Sequence, residues 1–211
     1  MVLIYSGGLD STAALYIYQS QIRIAISFDY GSRHNKEEIK RAKWNCEKLH
    51  IKHIIVPIDL SFVKSALLGN GVIPYGHYED ESMKATVVPF RNGIMLAMAT
   101  AIADSNGIKQ VMIGSHSGDH AIYPDCTQDF NSFMSAAMAI GTDTGVALFA
   151  PFENWDKKQL ANTGISHGMN PEMTYSCYEG GEVQCGKCST CLERRWALGE
   201  ITDEEMENER N

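Results

Sequence analysis

The sequence lacks a long apolar run and a basic leader. Its longest largely apolar stretch, 94–103, spans ten residues and includes one threonine, whereas a membrane-spanning helix needs about 20 residues. The opening residues show no basic segment and no cleavage site, which argues against a secretory signal. On these grounds we expect no membrane span and a cytoplasmic protein.

An excess of positive charge is also missing. The 211 residues contain 18 Lys and Arg against 26 Asp and Glu, which gives a formal net charge of −8. Proteins that bind duplex nucleic acid neutralise its phosphates with basic surfaces, so we expect no direct nucleic-acid binding. Hydrophobic residues at 44% and charged residues at 21% are typical of a globular chain, and the length suits one domain with a small appendage.

Short apolar segments alternate with helical ones. Strands are predicted at 2–5, 22–28, 52–58, 110–113 and 146–149, and helices at 11–20, 34–50, 92–106, 129–140 and 157–162. This alternation predicts an α/β fold, a Rossmann-like parallel sheet with helices on both faces. The segment 59–88 has no clean period, and the acidic tail 202–211 is predicted to be frayed.

Two predicted helices, 92–106 and 129–140, are apolar on most sides. A helix of this kind is buried, either in the core of its own chain or against another subunit. Both interpretations stay open, and the second predicts a homodimer.

A glycine turn follows the first predicted strand and reads Ser-Gly-Gly-Leu-Asp-Ser-Thr over 6–12. Paired glycines let the backbone approach a ligand, and the helix N-terminus that follows attracts anions. Ser6, Ser11 and Thr12 add hydroxyl groups, while Asp10 is either a helix cap or a magnesium ligand. The turn has no lysine and is not a Walker A loop. A plain strand–turn–helix connection is the alternative.

Four of the six cysteines cluster near the C-terminus. Cys177, Cys185, Cys188 and Cys191 lie within 15 residues, and the other two stand apart. Four thiolates at short spacing are the ligands of a closed, structural zinc site. An iron–sulfur cluster and unligated reduced thiols are the alternatives.

The string Ser-Gly-Gly-x-Asp-Ser after the first strand resembles the PP-loop of the N-type ATP pyrophosphatases, which split ATP between its α and β phosphates. The resemblance implies that the turn holds the departing pyrophosphate and that Mg²⁺ offsets its charge. Asp29 and His34, after the second strand, are placed at the same edge of the sheet. The predicted nucleotide-binding residues are therefore Tyr5, Ser6, Gly7, Gly8, Leu9, Asp10, Ser11, Thr12, Asp29 and His34.

Three further blocks join these two motifs. They read Phe-Asp-Tyr-Gly-Ser-Arg-His at 28–34, Val-Pro-Phe-Arg-Asn at 88–92 and Tyr-Pro-Asp-Cys at 123–126. Together with the PP-loop and the cysteine segment 174–191, they resemble the QueC family, the 7-cyano-7-deazaguanine synthases. The resemblance implies that 7-carboxy-7-deazaguanine and ammonia give the nitrile through adenylated intermediates, with ATP cleaved to AMP and pyrophosphate.

The predicted catalytic residues are Ser6, Asp10, Arg91 and Asp125. A carboxylate accepts the N–H donors of a guanine-like edge, and Asp125 is the first candidate for this role, with Asp119 second. Tyr123 is expected to stack on the ring, and Arg91 to bind the substrate carboxylate or a phosphate.

Four of these residues also have local interpretations. For Asp125 the alternative is a turn carboxylate, and for Arg91 a surface ion pair. For His34 it is a helix N-terminal position without chemistry, and for Asp29 a local turn role beside its predicted contact with ribose or adenine.

The sequence departs from the family pattern at two positions. Phe90 stands where the family usually has glycine, and Thr127 where it usually has arginine. These departures leave open a related ligase that stops at 7-amido-7-deazaguanine or joins another amine to the acid. A tRNA thiolation enzyme and a non-enzymatic zinc-binding module are the remaining alternatives. The predicted domains are a PP-loop domain at 1–165 and a zinc-binding region with an acidic tail at 166–211.

Overall fold

The computed structural model describes residues 1–69, 71–73, 81–119 and 123–210. Its strands are β1 (Val2–Ile4), β2 (Ile24–Asp29), β3 (Lys52–Pro57), β4 (Gln110–Met112) and β5 (Ala147–Phe149). Its α-helices are α1 (Leu9–Ile17), α2 (Asn35–Lys48), α3 (Arg91–Ser105), α4 (Gln128–Ile140), α5 (Lys157–Ser166), α6 (Ser189–Ala197) and α7 (Asp203–Arg210). The five predicted strands are all present within two residues of their predicted bounds.

The strands form one parallel sheet in the order β3-β2-β1-β4-β5. β1 lies at its centre, with Val2 paired to Ile24 of β2 on one side and to Val111 of β4 on the other. The chain therefore leaves β1 in one direction and later returns to its other side. A crevice opens at the carboxyl ends of the strands at such a switch point, and the glycine turn after β1 lies there.

Helices cover both faces of the sheet, as the alternation of segments predicted. Successive strand side chains point to opposite faces, so Val2 of β1 packs in the core beneath α3, whereas Leu3 packs with α1 and α5. The fold class predicted from the sequence is confirmed.

The region 84–105, which contains α3, meets the length and composition of a membrane-spanning helix, with a mean hydropathy of 1.3. The expectation of no membrane span rested on the ten-residue run 94–103 alone and did not consider this longer region, so it stays a prediction. α3 packs on β1 and β4, with Leu96, Ala99 and Ala103 fully buried. Because core helices meet the same criterion, it is weak evidence for a span.

Most of the predicted irregular segment 59–88 is indeed irregular where it is described, with one 3-10 helix at Glu81–Thr86. Residues 70 and 74–80 lie outside the described part of the chain. Arg33, which follows β2, anchors the described part of this segment, because its Nε donates a hydrogen bond to the Gly69 carbonyl at 2.9 Å.

The acidic tail is not frayed over 203–210, where it forms α7. Met206 is buried, and Lys158 of α5 pairs with Asp203 at 3.2 Å. The prediction failed because the sequence pattern alone did not show that α5 and α6 supply partners for these acids. Asn211 lies outside the described residues.

Candidate active site

A cavity that is open to solvent at its mouth lies at the carboxyl ends of β1, β2 and β4. One end is the glycine turn, with Ser6, Gly8, Asp10 and Ser11 on its wall. The other end is lined by Arg91 and by three tyrosines, Tyr30, Tyr123 and Tyr178. The two ends meet in one continuous space, which suits two ligands that react with each other.

The glycine turn presents backbone N–H groups at the start of α1. Gly8 is the N-cap residue, and no side chain caps the helix. Ser6 Oγ accepts a hydrogen bond from Gly8 N at 3.0 Å and lies 3.0 Å from Ser11 Oγ. Asp10 lies in the first helical turn and is not the cap, so one of its two predicted roles is ruled out.

Gly7 and Thr12 constrain the backbone conformation of the turn. Gly7 has φ +95°, and a Cβ there would lie 2.2 Å from the Glu38 carbonyl oxygen. Thr12 is fully buried, and its hydroxyl donates to Gly8 O at 2.7 Å and lies 3.3 Å from Tyr5 OH. These contacts fix the backbone of the turn, while Tyr5, Gly8, Leu9 and Asp10 face the cavity.

The turn contains no lysine, but Lys157 of α5 lies beside it. Lys157 Nζ lies 3.4 Å from Asp10 Oδ2 and 3.0 Å from Glu193 Oε2 of α6, and Lys157 lines the cavity. His116 Nε2 lies 3.8 Å from the same Asp10 oxygen. The other oxygen, Asp10 Oδ1, is buried without a hydrogen-bond partner. The cavity lining beside the glycine turn therefore includes a cation, Lys157, and one Asp10 oxygen is buried there without a hydrogen-bond partner.

At the opposite end, Arg91 lies among tyrosines. Its Nη1 donates to Tyr30 OH at 3.0 Å, and Tyr123 OH lies 3.0 Å from Tyr178 OH. Burial alone would lower the pKa of Arg91, but Tyr30, Tyr123 and Tyr178 raise it. Arg91 is thus a charged donor inside the cavity, and its surface ion-pair interpretation is wrong.

His34 and Glu38 lie between the two ends. Burial lowers the pKa of His34 to about 3 and raises the pKa of Glu38 to about 8. His34 Nε2 lies 3.3 Å from Tyr30 OH and 3.7 Å from Glu38 Oε2. Both groups are thus predominantly uncharged at pH 7 in the empty cavity. His34 lines the cavity as predicted from the sequence, whereas Glu38 was missed.

The predicted acids Asp125 and Asp29 are absent from the described lining of the cavity. Asp125 Oδ2 accepts a hydrogen bond from Asn92 N at 2.8 Å, and its backbone oxygen accepts from Asn92 Nδ2 at 3.2 Å, so Asp125 anchors the start of α3. Asp29 is exposed beside a separate depression next to α2. The side chain of Asp119 lies outside the described part of the chain.

Both positions that depart from the family pattern have local roles. Phe90 precedes α3 in the left-handed region, with φ +55°, where glycine is favoured. Thr127 is the N-cap of α4, because its Oγ1 accepts from Phe130 N at 3.3 Å. Capping supplies a structural reason for threonine at this position.

The four clustered cysteines form a candidate metal centre. Their sulfur atoms all lie within 4.8 Å of one another, and Cys185 N and Cys188 N donate to the sulfurs of Cys177 and Cys185, each at 3.3 Å. Four converging thiols, three of them buried, fit a tetrahedral thiophilic ion.

The cysteine region also forms one wall of the cavity. Tyr175 N donates to Gly7 O at 3.0 Å, and Gly180, with φ +78°, lies so close to the Arg33 carbonyl that a Cβ would be 2.2 Å from its oxygen. Tyr175, Ser176, Tyr178 and Thr190 line the cavity. Integrity of the cysteine cluster is therefore coupled to the shape of the site.

The model of the family described as "Queuosine biosynthesis protein QueC" matches residues 1–202 of the chain. The chain belongs to the QueC family. It is 46% identical over 200 residues to the 7-cyano-7-deazaguanine synthase of Porphyromonas gingivalis (strain ATCC BAA-308 / W83), covering 93% of this chain and 91% of that protein. It is 44% identical over 202 residues to the synthase of Desulfotalea psychrophila (strain LSv54 / DSM 12343), covering 93% and 92%.

The QueC resemblance predicted from the sequence is thus confirmed, and with it an enzymatic function. The fold is also similar to that of an NMN synthetase from Francisella tularensis, with a TM-score of 0.54 at 12% identity, covering 100% of this chain and 81% of that one. At this identity the similarity concerns the fold alone.

Proposed function

We propose that this QueC-family enzyme is an ATP-dependent ligase that converts 7-carboxy-7-deazaguanine and ammonia to 7-cyano-7-deazaguanine. The supporting observation is the single cavity that joins the glycine turn to the pocket around Arg91. A carboxylate resists ammonia because oxide is a poor leaving group, and AMP on that oxygen removes the obstacle. Adenylation of the resulting amide then permits loss of its oxygen and gives the nitrile.

ATP occupies the end formed by the glycine turn. Backbone N–H groups at the start of α1 and Lys157 face the β and γ phosphates and stabilise pyrophosphate as it leaves. Ser6 donates to the same group, and Asp10, which lines this end of the cavity, would hold Mg²⁺, which offsets phosphate charge. Tyr5, Gly8, Leu9 and Ser11 complete this wall, Gly7 and Thr12 support it, and His34 is assigned to the nucleotide as predicted. Asp29 is assigned its alternative local turn role, because its Oδ1 accepts from Gly31 N at 3.4 Å.

The acid occupies the end formed by the tyrosines. Arg91 binds the substrate carboxylate with a charge-assisted hydrogen bond and turns it toward the α-phosphate. Tyr123 stacks on the base. Asp125 lies between Tyr123 and Cys126, both of which line the cavity; its Oδ2 is bonded to Asn92 N, so Oδ1 is assigned to the base edge.

One structural Zn²⁺ per chain is held by Cys177, Cys185, Cys188 and Cys191, and region 166–211 folds around it beside the PP-loop domain 1–165. Binding energy of such an ion becomes folding energy. We place the protein in the cytoplasm, where thiolates stay reduced, and assign it no nucleic-acid partner because of its net charge of −8.

Two chains pair as a homodimer through α3 and α4. The observation that favours this is the exposure of Phe133 (78%) and Ile140 (87%) on α4 and of Phe90 (59%), whose ring contacts Phe130 of the same helix, because large exposed apolar patches mark protein interfaces. Light scattering checks it: the wild type is expected as a dimer and Phe133→Asp as a monomer.

The test of the reaction is incubation with 7-carboxy-7-deazaguanine, ammonium and ATP, followed by mass spectrometry of the base and the nucleotides. We expect the nitrile, AMP and pyrophosphate, with two AMP per nitrile. An accumulating amide identifies the ligase alternative instead. ADP and phosphate as products contradict the proposal.

A further inference from the structure

Two carboxylates face the cavity among its described lining residues, Asp10 and Glu38. Asp10 lies at the phosphate end, 3.4 Å from Lys157 Nζ. Glu38 has no role in the scheme above. The chemistry nevertheless needs a proton acceptor, because all three protons of ammonia leave its nitrogen before the nitrile is formed.

Glu38 lies at the junction of the two ends. Its Oε1 is 3.7 Å from the position that a Cβ on Gly8 would take, which places the carboxyl beside the PP-loop backbone. On the other side, its Oε2 is 3.7 Å from His34 Nε2, and His34 contacts Tyr30, the partner of Arg91. The carboxyl carbon whose oxygen becomes adenylated has to lie at this junction, where the acid meets the α-phosphate.

We propose that Glu38 is the catalytic base for the ammonia-derived nitrogen. This proposal rests on the proposed function. The nitrogen lone pair forms the C–N bond at the carbonyl carbon of the acyl adenylate, and one N–H proton passes to the Glu38 carboxylate. The C–O bond to AMP then breaks, and its electron pair leaves with AMP. Glu38 then releases the proton to solvent through the open mouth. After the second adenylation, the two remaining protons leave by the same route as the C–O bond breaks and the C≡N bond forms.

The surroundings of Glu38 suit this task. Burial, opposed by Arg91 of α3, raises its pKa to about 8, so the ionised carboxylate is the minor form at pH 7 and becomes more abundant toward pH 8. That carboxylate is a stronger base than an exposed glutamate. The other titratable groups facing it are His34 on its own helix and Tyr30 after β2. The low pKa of His34 makes it a poor acceptor by comparison.

The test compares ammonia with hydroxylamine in the wild type and in Glu38→Gln. Hydroxylamine is uncharged at pH 7 and traps the acyl adenylate. The nitrogen of its adduct is acidic enough to lose its proton to water, so hydroxamate formation reports adenylation without needing Glu38 as a base. We expect Glu38→Gln to form hydroxamate within about threefold of the wild type and to lose nitrile formation by at least about 100-fold, in line with the usual size of general-base effects. Glu38→Asp is expected to recover part of the loss.

Glu37→Gln is the matched control, because Glu37 is a buried residue of the same helix that is absent from the described cavity lining. We expect this variant to keep nitrile formation. Near-wild-type nitrile formation by Glu38→Gln overturns the assignment. Loss of hydroxamate together with nitrile also overturns it, because Glu38 then serves adenylation or folding. A wild type that makes hydroxamate but no nitrile contradicts the proposed function instead.

Discussion

The ring of Phe90 covers Gly93, one turn into α3. A Cβ on Gly93 would lie 2.3 Å from Phe90 Cε1, and the Phe90 ring also contacts Phe130 edge-on, with centroids 5.8 Å apart. Phe90 therefore occupies a left-handed backbone position and restricts its neighbour to glycine. This is the local consequence of the departure from glycine at position 90.

We expect Gly93→Ala to destabilise the wild type, because the Phe90 ring must leave its site. With Phe90→Gly in the background, the same change should cost at least about 1 kcal/mol less, within the usual range of coupling between residues in contact. Urea unfolding of the four proteins of this cycle measures the coupling. Equal costs in both backgrounds would show that the ring moves freely.

Lys157→Met is expected to lower ATP–pyrophosphate exchange by about 100-fold, because it removes the cation beside the departing pyrophosphate. Lys158→Met is the control, since Lys158 pairs on the surface with Asp203 and stacks on Trp196. Initial rates of exchange of labelled pyrophosphate decide between them. A similar small loss in both variants would remove Lys157 from the phosphate site.

Removal of the metal should abolish ATP binding together with the fold of region 166–211, because Tyr175 N is bonded to Gly7 O in the PP-loop. We expect about one Zn per chain by elemental analysis, and a lower melting temperature and no ATP binding in Cys188→Ser. Cys46→Ala, in the core away from the cluster, should keep its metal. Less than about half a Zn per chain, or a brown chromophore, contradicts the assignment.

The buried pair His34 and Glu38 predicts a pH dependence of stability. Burial lowers the pKa of His34 to about 3, so the unfolded chain binds the extra proton below its usual value of 6.5 and stability falls as the pH drops. Burial raises the pKa of Glu38 to about 8 from 4.5, so here the folded chain holds the extra proton and stability falls as the pH rises.

Glu38 is separated from His34 between about pH 7.5 and 8.5, where His34 is almost fully neutral in both states. Other groups that titrate there, such as the Met1 amino group, are the same in Glu38→Gln and cancel in the comparison. In the empty enzyme we expect the free energy of unfolding to decrease over this interval, and Glu38→Gln to lose less. Urea unfolding at the two pH values measures both slopes. Parallel slopes in the two proteins would mean that the carboxyl of Glu38 is already ionised at neutral pH.

Part of the site was predictable because its signals are local. The turn 6–12 and the cysteines 177–191 are short segments in which neighbours along the chain are neighbours in space. Glu38 was missed because a glutamate in an amphipathic helix normally faces solvent. Its spacing contains a usable signal, since Glu38 precedes Ala42 by four residues and Cys46 by eight, on the face of α2 that packs inward.

The order of the five strands and of the first five helices, the PP-loop and the cysteine cluster were determined by the sequence alone, because hydrophobic period and turn chemistry act over a few residues. Helices α6 and α7 were not predicted. Only the tertiary structure decided which distant side chains share the cavity. It brought Lys157 of α5 to Asp10, and it used Asp125 to hold the start of α3. Such distances depend on how elements far apart in the chain pack across the sheet, and no local pattern records them.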